Sequence, residues 1–243
     1  MATTTAPKPL TAFNYVTFDV VGTLIDFEGA IVEGLAGIAA KEGIEVKAEA
    51  ALAVYREARY APDAARFPDD LGRCYGELAK AFGLPDTPEN RRHMIDAMGA
   101  AKPFADSVDA MARLQKHYKL IAMTNAQRWA FDKYAAKLGH PFWAGFTVDD
   151  TGTEKPDPAY FHAVFDFVAQ DGGTKTDILH TAQSQYHDIG ISRELGMTNA
   201  WIQRRHAQKG YGGTIAPAAF TEPDFHFHAL RELADAADAA FGA

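Results

Sequence analysis

Four short segments hold the polar groups best placed to do chemistry. Asp19 closes an apolar run and is followed by Val20-Val21-Gly22-Thr23. Thr124-Asn125 closes a second apolar run. Lys155 lies in the loop Gly152-Thr153-Glu154-Lys155-Pro156-Asp157-Pro158, and Gln183-Ser184 precede Asp188 after a third run. Together they supply a carboxylate, hydroxyls and amides, an ammonium and a second carboxylate. Each also has a plainer explanation. An Asp at a strand end is more often a turn former, Lys155 alone suits a surface, and Thr124-Asn125 or Asp188 would cap a following helix. Their order and shared position at strand ends give them weight as a set, because ligands of open α/β sheets bind beyond the carboxyl ends of the strands.

The elements that must position them follow from periodicity. Residues 14–20 are short, β-branched and aromatic, which predicts a buried strand. Lys119–Met123, residues 145–148, residues 178–181 and Thr198–Ile202 predict further strands. Helices are predicted over residues 129–138, 158–168 and 188–195, the second with Pro at its first turn. Residues 225–241 begin extended and end as an Ala-rich helix. Between the first strand and the rest, Ile31, Leu35 and Ile38, then Ala51, Val54, Tyr55 and Ala58, then Leu71, Tyr75, Leu78 and Phe82, recur at helical spacing. Gly43, the Pro68 region and Gly83-Leu84-Pro85 punctuate that block. Alternating strands and helices predict an α/β doubly wound parallel sheet, residues 1–26 and 103–243, with a helical cap inserted at residues 27–102.

Composition narrows the function classes. The chain has 243 residues, 47% hydrophobic and 23% charged, ordinary for a globular protein with a real core. A formal net charge of −8 argues against a nucleic-acid partner. The single cysteine, Cys74, excludes an intrachain disulfide and disfavours a cysteine zinc site. No apolar stretch approaches the roughly eighteen residues of a membrane span, so no membrane partner is expected. Residues 1–10 are read as a disordered lead-in without the apolar region of a signal peptide, and a cytoplasmic location is the default. No Walker loop, dinucleotide glycine pattern or Ser/Cys elbow is present. His226 and His228 alternate with Phe225 and Phe227, as on one strand face and not as a metal pair. His187 sits beside Asp188 and could reach the same site, although a histidine at a helix start is more often solvated. No cofactor and no metal are expected.

The chain resembles the haloacid dehalogenase superfamily. Phe18-Asp19-Val20-Val21-Gly22-Thr23-Leu24 matches its first motif, Thr124-Asn125 the second, Lys155-Pro156-Asp157-Pro158 the third, and the segment from Gln183 to Asp188 ahead of Gly196-Met197 the fourth. The helical block resembles that superfamily's cap, and the likeness runs from about Asn14 to Ile202. Gly22-Thr23-Leu24-Ile25-Asp26-Phe27-Glu28 and His180-Thr181-Ala182-Gln183-Ser184 look most like the type II 2-haloacid dehalogenases. Superfamily phosphatases place an Asp where this chain has Val21 and another where it has Gln183, the latter helping to hold magnesium. Losing both implies a metal-independent enzyme acting at carbon. The dehalogenases place Tyr where this chain has Val21, so the substrate is left open.

The resemblance implies a hydrolase in which Asp19 displaces a leaving group from the α-carbon of a small carboxylic acid, and water then hydrolyses the aspartyl ester. It implies that Thr23 steadies Asp19, that Lys155 keeps it ionised, and that Asp188 positions Lys155 or the water. Thr124 and the main chain at Val20 and Val21 would hold the substrate carboxylate, Asn125 the leaving group, with Gln183 and Ser184 in support. A cap arginine would cradle a halide: Arg56, the first choice, or Arg59, unless both are solvated cap residues. Phe27, Tyr55, Tyr60, Trp129 and Trp143 are candidates for an apolar wall. The related enzymes suggest a homodimer. Three other functions compete: opening a strained C–N ring such as azetidine-2-carboxylate, a magnesium-dependent phosphatase, and a binding module without activity.

Overall fold

The computed structural model describes residues 8–242. Among them, β1 (Tyr15–Asp19) leads into four helices: α1 (Phe27–Lys41), α2 (Ala48–Arg59), α3 (Leu71–Phe82) and α4 (Pro88–Gly99). The chain continues through α5 (Ser107–Leu114), β2 (Lys119–Met123), α6 (Arg128–Lys137), β3 (Ala144–Phe146), α7 (Val148–Thr151) and α8 (Pro158–Gln170). It closes with β4 (Ile178–Ala182), α9 (Gly190–Glu194), β5 (Thr198–Ile202), β6 (Phe225–Phe227) and α10 (Leu230–Phe241). The strands form one parallel sheet in the order β3-β2-β1-β4-β5-β6. Every residue of β1 and β4 is buried, as expected of central strands covered on both faces. Alternate residues feed two cores. Val16 and Phe18 face a core shared with α5, α10 and the four-helix block, while Tyr15, Ile121 and Ile178 face one shared with α8 and Ile191. This is the doubly wound α/β architecture that the strand–helix alternation predicts.

Register puts the polar segments together. Asp19 pairs with Met123, and Phe18 pairs with Thr181. Thr124 therefore emerges just beyond Asp19 on one side and Gln183 on the other. The strand order reverses at β1, so the crevice at this edge is the switch point of the sheet. After β1 the chain turns back on itself: Leu24 N–H donates to Val20 O at 2.9 Å, and Gly22 adopts φ 96°, a left-handed conformation suited to glycine. The helical block leaves and rejoins the sheet side by side. Asp26 N–H donates to Lys102 O (2.9 Å) and Phe104 N–H to Leu24 O (3.0 Å).

Three local expectations change. The strand predicted over residues 145–148 stops at Phe146, because Thr147 and Asp150 form a capping box that starts α7. The helix predicted over residues 188–195 begins as a π-helical turn at Gln185–Ile189, where the Ser184 hydroxyl accepts from His187 N–H at 2.9 Å. Of the predicted lead-in, residues 1–7 lie outside the described residues, whereas Leu10 is buried in a 3₁₀ turn and accepts a hydrogen bond from the Tyr118 hydroxyl. Among the described residues no helix is long and apolar enough to cross a membrane.

Phe18 is fully buried beside Asp19. Phe18→Ala is expected to lower unfolding free energy by about 3–5 kcal/mol through a cavity under the site strand, measured by denaturant titration. A loss near zero would mean that the strand is held by other contacts.

Candidate active site

One buried ammonium organises the site. Lys155 Nζ donates to Asp19 Oδ1 at 3.0 Å and to Asp188 Oδ1 at 2.6 Å. The Thr23 hydroxyl donates to Asp19 Oδ2 at 2.6 Å and accepts from Gln183 N–H at 2.8 Å, which ties the first turn to the end of β4. Asp188 Oδ1 also accepts from His180 Nε2 at 3.1 Å, and His180 Nδ1 meets the Thr17 hydroxyl at 2.8 Å. Thr17, Thr23, His180 and Asp188 are fully buried, and Asp19 and Lys155 nearly so. Asp188 Oδ2 is buried without a hydrogen-bond partner among the described residues.

Two carboxylates thus share one cation, and they do not share it equally. Burial works against ionising Asp188, but the Lys155 ammonium and the His180 hydrogen bond hold its carboxyl down to about 2. Burial pushes the Asp19 carboxyl up, the pull of Lys155 opposes this, and the charge of Asp188 adds to it. Burial disfavours the Lys155 cation, yet the two carboxylates keep its pKa raised. Lys155 belongs first to Asp188, the shorter contact. Asp19 is left a partly compensated anion on the wall of a pocket.

That pocket is lined by Asp19, Val21, Thr124, Asn125, Lys155, Gln183, Ser184 and Asp188, so the four sequence segments converge. The Val20 carbonyl accepts from Leu24 and Ile25 N–H, which fixes the turn whose N–H groups were expected to meet a substrate carboxylate. Several expectations are corrected. Arg59 lines the pocket and Arg56 does not: Arg56 donates to the Gly212 carbonyl, a loop contact invisible in local sequence. Asn125 clamps the Lys155 main chain, accepting from its N–H (2.8 Å) and donating to its carbonyl (2.9 Å), so its amide positions the lysine. Ser184 is engaged as a helix cap and with His187 Nδ1 at 3.0 Å. Phe27, Tyr55 and Tyr60 form part of the wall, joined by Phe67. Trp129 instead lies against Gly99, and Trp143 is 43% exposed under Lys119.

Besides Phe67, several contributors were missed or underweighted by sequence reasoning. His180 falls in a predicted strand and in the segment resembling the type II dehalogenases with no role of its own, although a histidine within an apolar strand signals a buried polar partner. His187, read as solvated, lines the pocket, stacked on Tyr60 with its Nε2 at 3.1 Å from the Tyr60 hydroxyl. Burial pushes its pKa down to about 4. Glu154 and Thr214 also line the wall, the second from a loop that no motif marks.

Residues 13–174 match the model of the haloacid dehalogenase-like hydrolase family. The chain belongs to the haloacid dehalogenase-like hydrolases. Solved structures of similar fold include the L-2-haloacid dehalogenase PA0810, at TM-score 0.75 and 21% identity over 93% of this chain and 99% of that one. The L-2-haloacid dehalogenase from Xanthobacter autotrophicus with chloropropionic acid covalently bound is similar at TM-score 0.67 and 21% identity, over 92% and 97%. A HAD phosphatase from Thermococcus onnurineus is similar at TM-score 0.59 and 21% identity, also over 92% and 97%. At these identities the likeness is one of fold. No curated protein matches the chain.

His180→Phe keeps a ring but removes the donor to Asp188. A buried hydrogen bond to a charged group contributes about 1.5–3 kcal/mol, so kcat is expected to fall roughly ten- to hundredfold with KM little changed. His180→Gln, which can still donate, should recover part of that loss, and equal activity in all three proteins would remove His180 from the site. In a proton NMR titration the His187 imidazole should stay neutral from pH 8 down to its depressed pKa of about 4, because burial penalises only the charged ring. A midpoint near the ordinary value of about 6.5 would contradict that environment.

Proposed function

We propose that this hydrolase displaces a leaving group from the α-carbon of a small carboxylic acid through an ester on Asp19, and that it is a 2-haloacid dehalogenase. The observation that carries this is the state of Asp19. Its carboxylate is buried, oriented by Thr23 and Lys155, and faces a pocket in which the neighbouring wall residue is the apolar Val21. An Asp19 oxygen attacks the α-carbon, and the C–X bond breaks with its electron pair leaving on X. The carbon inverts, since the attack is from behind. Forming the ester removes a charge that burial disfavours, so the environment assists the step. Water then adds to the ester carbonyl and the hydroxy acid departs, returning Asp19. Asp188 Oδ2, without a hydrogen-bond partner among the described residues, is available to accept a hydrogen bond from that water. Arg59 and the Thr124 hydroxyl supply the pocket's positive charge and neutral donor for the substrate carboxylate and the halide.

Magnesium would have to be held by Asp19, Asp188 and position 183. Asp188 Oδ1 already serves Lys155 and His180, and Gln183 brings a neutral amide. Among the described residues no cluster of three or more acidic, His or Cys side chains has metal-binding geometry. This donor set fits poorly to an ion that wants hard anionic oxygens, and the proposed steps use none.

The test is a panel of 2-haloacids and small-ring amino acids, together with p-nitrophenyl phosphate, with and without EDTA. Chloride release insensitive to EDTA is expected, with at least about a thousandfold loss in Asp19→Asn. A single turnover in ¹⁸O water should leave label in the Asp19 carboxylate. Phosphate release abolished by EDTA as the sole activity would overturn the proposal, as would label found only in product.

A further inference from the structure

The charges on the pocket wall do not suit a simple acid. Three carboxylates, Asp19, Glu154 and Asp188, face two cations, Arg59 and Lys155. His187 adds no charge near neutral pH, being held down to about 4 by burial. The charge of Lys155 is shared between Asp19 and Asp188. The remaining cation, Arg59, is matched by Glu154, whose two carboxylate oxygens accept from its Nη2 at 3.1 and 3.2 Å, and its Nη1 lies 3.8 Å from a carboxylate oxygen of Asp70. A substrate carrying only a carboxylate therefore enters a wall with an excess negative charge, and it must compete with Glu154 for Arg59.

Glu154 is no chance visitor to the pocket. It directly precedes Lys155, whose main chain is clamped on both sides by the Asn125 amide. Its own carbonyl accepts from Asp157 N–H at 3.0 Å. The loop that places the ammonium beside Asp19 thereby also places the Glu154 carboxylate on the pocket wall. The same wall carries four aromatic side chains, Phe27, Tyr55, Tyr60 and Phe67. Ring faces beside a carboxylate attract a cation as well as an apolar group.

We propose that Glu154 determines specificity in this pocket, and that the preferred substrate is a small zwitterionic 2-haloacid, its ammonium borne away from the α-carbon and paired with Glu154 and its carboxylate paired with Arg59. Substrate in this pose replaces one ion pair by two and brings no net charge into the site. The proposal deepens the functional assignment above and rests on the same pocket being the substrate site. It concerns recognition and leaves the displacement step as written.

Unreactive ligands of matched size separate recognition from chemistry. Calorimetry on the wild-type enzyme at pH 7 should find 4-aminobutyrate bound at least about tenfold more tightly than butyrate. In Glu154→Gln the preference should vanish and butyrate should gain affinity. Equal or tighter butyrate binding by the wild type overturns the proposal without any variant. A preference that survives in Glu154→Gln, with an unchanged circular dichroism melt, overturns it too. Mass spectrometry of the Asp19 ester in a single turnover reports on the chemistry separately. An ester without an amino-acid preference sinks the recognition proposal alone, whereas a preference lost in Glu154→Gln but without any ester supports it and sinks the nucleophile assignment alone.

Discussion

A single ammonium held between two buried carboxylates is the constraint around which the rest of this protein is arranged. Lys155 contacts Asp19 and Asp188 at 3.0 and 2.6 Å in a region almost closed to water. Burying ions is costly unless each is paired and hydrogen-bonded, so every member has further partners. Thr23 serves Asp19, His180 serves Asp188, and Asn125 fixes the lysine's main chain. The compensation is uneven. Asp188 is stabilised as an anion, and Asp19 carries the electrostatic cost. An anion in that position gains most from bonding to carbon, which links the ion network to the proposed chemistry.

The fold meets this constraint through parallel strand order. Parallel strands deliver their carboxyl ends to one edge, and the register of β1 with β2 and β4 sets Asp19, Thr124 and Gln183 side by side. Asp188 lies one π-helical turn further on, close enough to β4 for His180 on that strand to reach it. Lys155 arrives from the loop before α8, and Tyr160 in that helix donates to the Thr124 carbonyl at 3.0 Å and to the Phe146 carbonyl at 2.7 Å. The loops of the second and third motifs are thus braced by one buried side chain.

The helical block supplies what the sheet lacks. Its residues Phe27, Tyr55, Arg59, Tyr60 and Phe67 close the pocket over the sheet edge. It is anchored to the third motif by Arg59 with Glu154, and Tyr60 with His187 ties it to the fourth. Contacts that join the two parts of the molecule are therefore also contacts of the pocket wall, and any substrate pairing with Arg59 or Glu154 acts on the junction itself.

The sequence alone determined the sheet, the helical insertion and the positions of Asp19, Thr23, Lys155 and Asp188. Central parallel strands are buried on both faces and so read as continuous apolar runs with polar residues at their ends, a local signal. The tertiary structure decided which distant partner each side chain meets. Arg56 and Arg59 are one helical turn apart and equivalent in local sequence, and only the loop carrying Gly212 removes Arg56 from the pocket. His180 is an ordinary strand residue until the chain returns Asp188 to it, and Asn125 an ordinary amide until the loop of Lys155 crosses it. Glu154 likewise becomes part of a binding wall only where Arg59, 95 residues earlier, folds over it. Burial and charge pairing depend on neighbours far along the chain, whereas strand and helix periods depend on neighbours a few residues away, and this difference in range is why the elements, the central acids and much of the pocket lining were legible while the partner that each side chain meets was not.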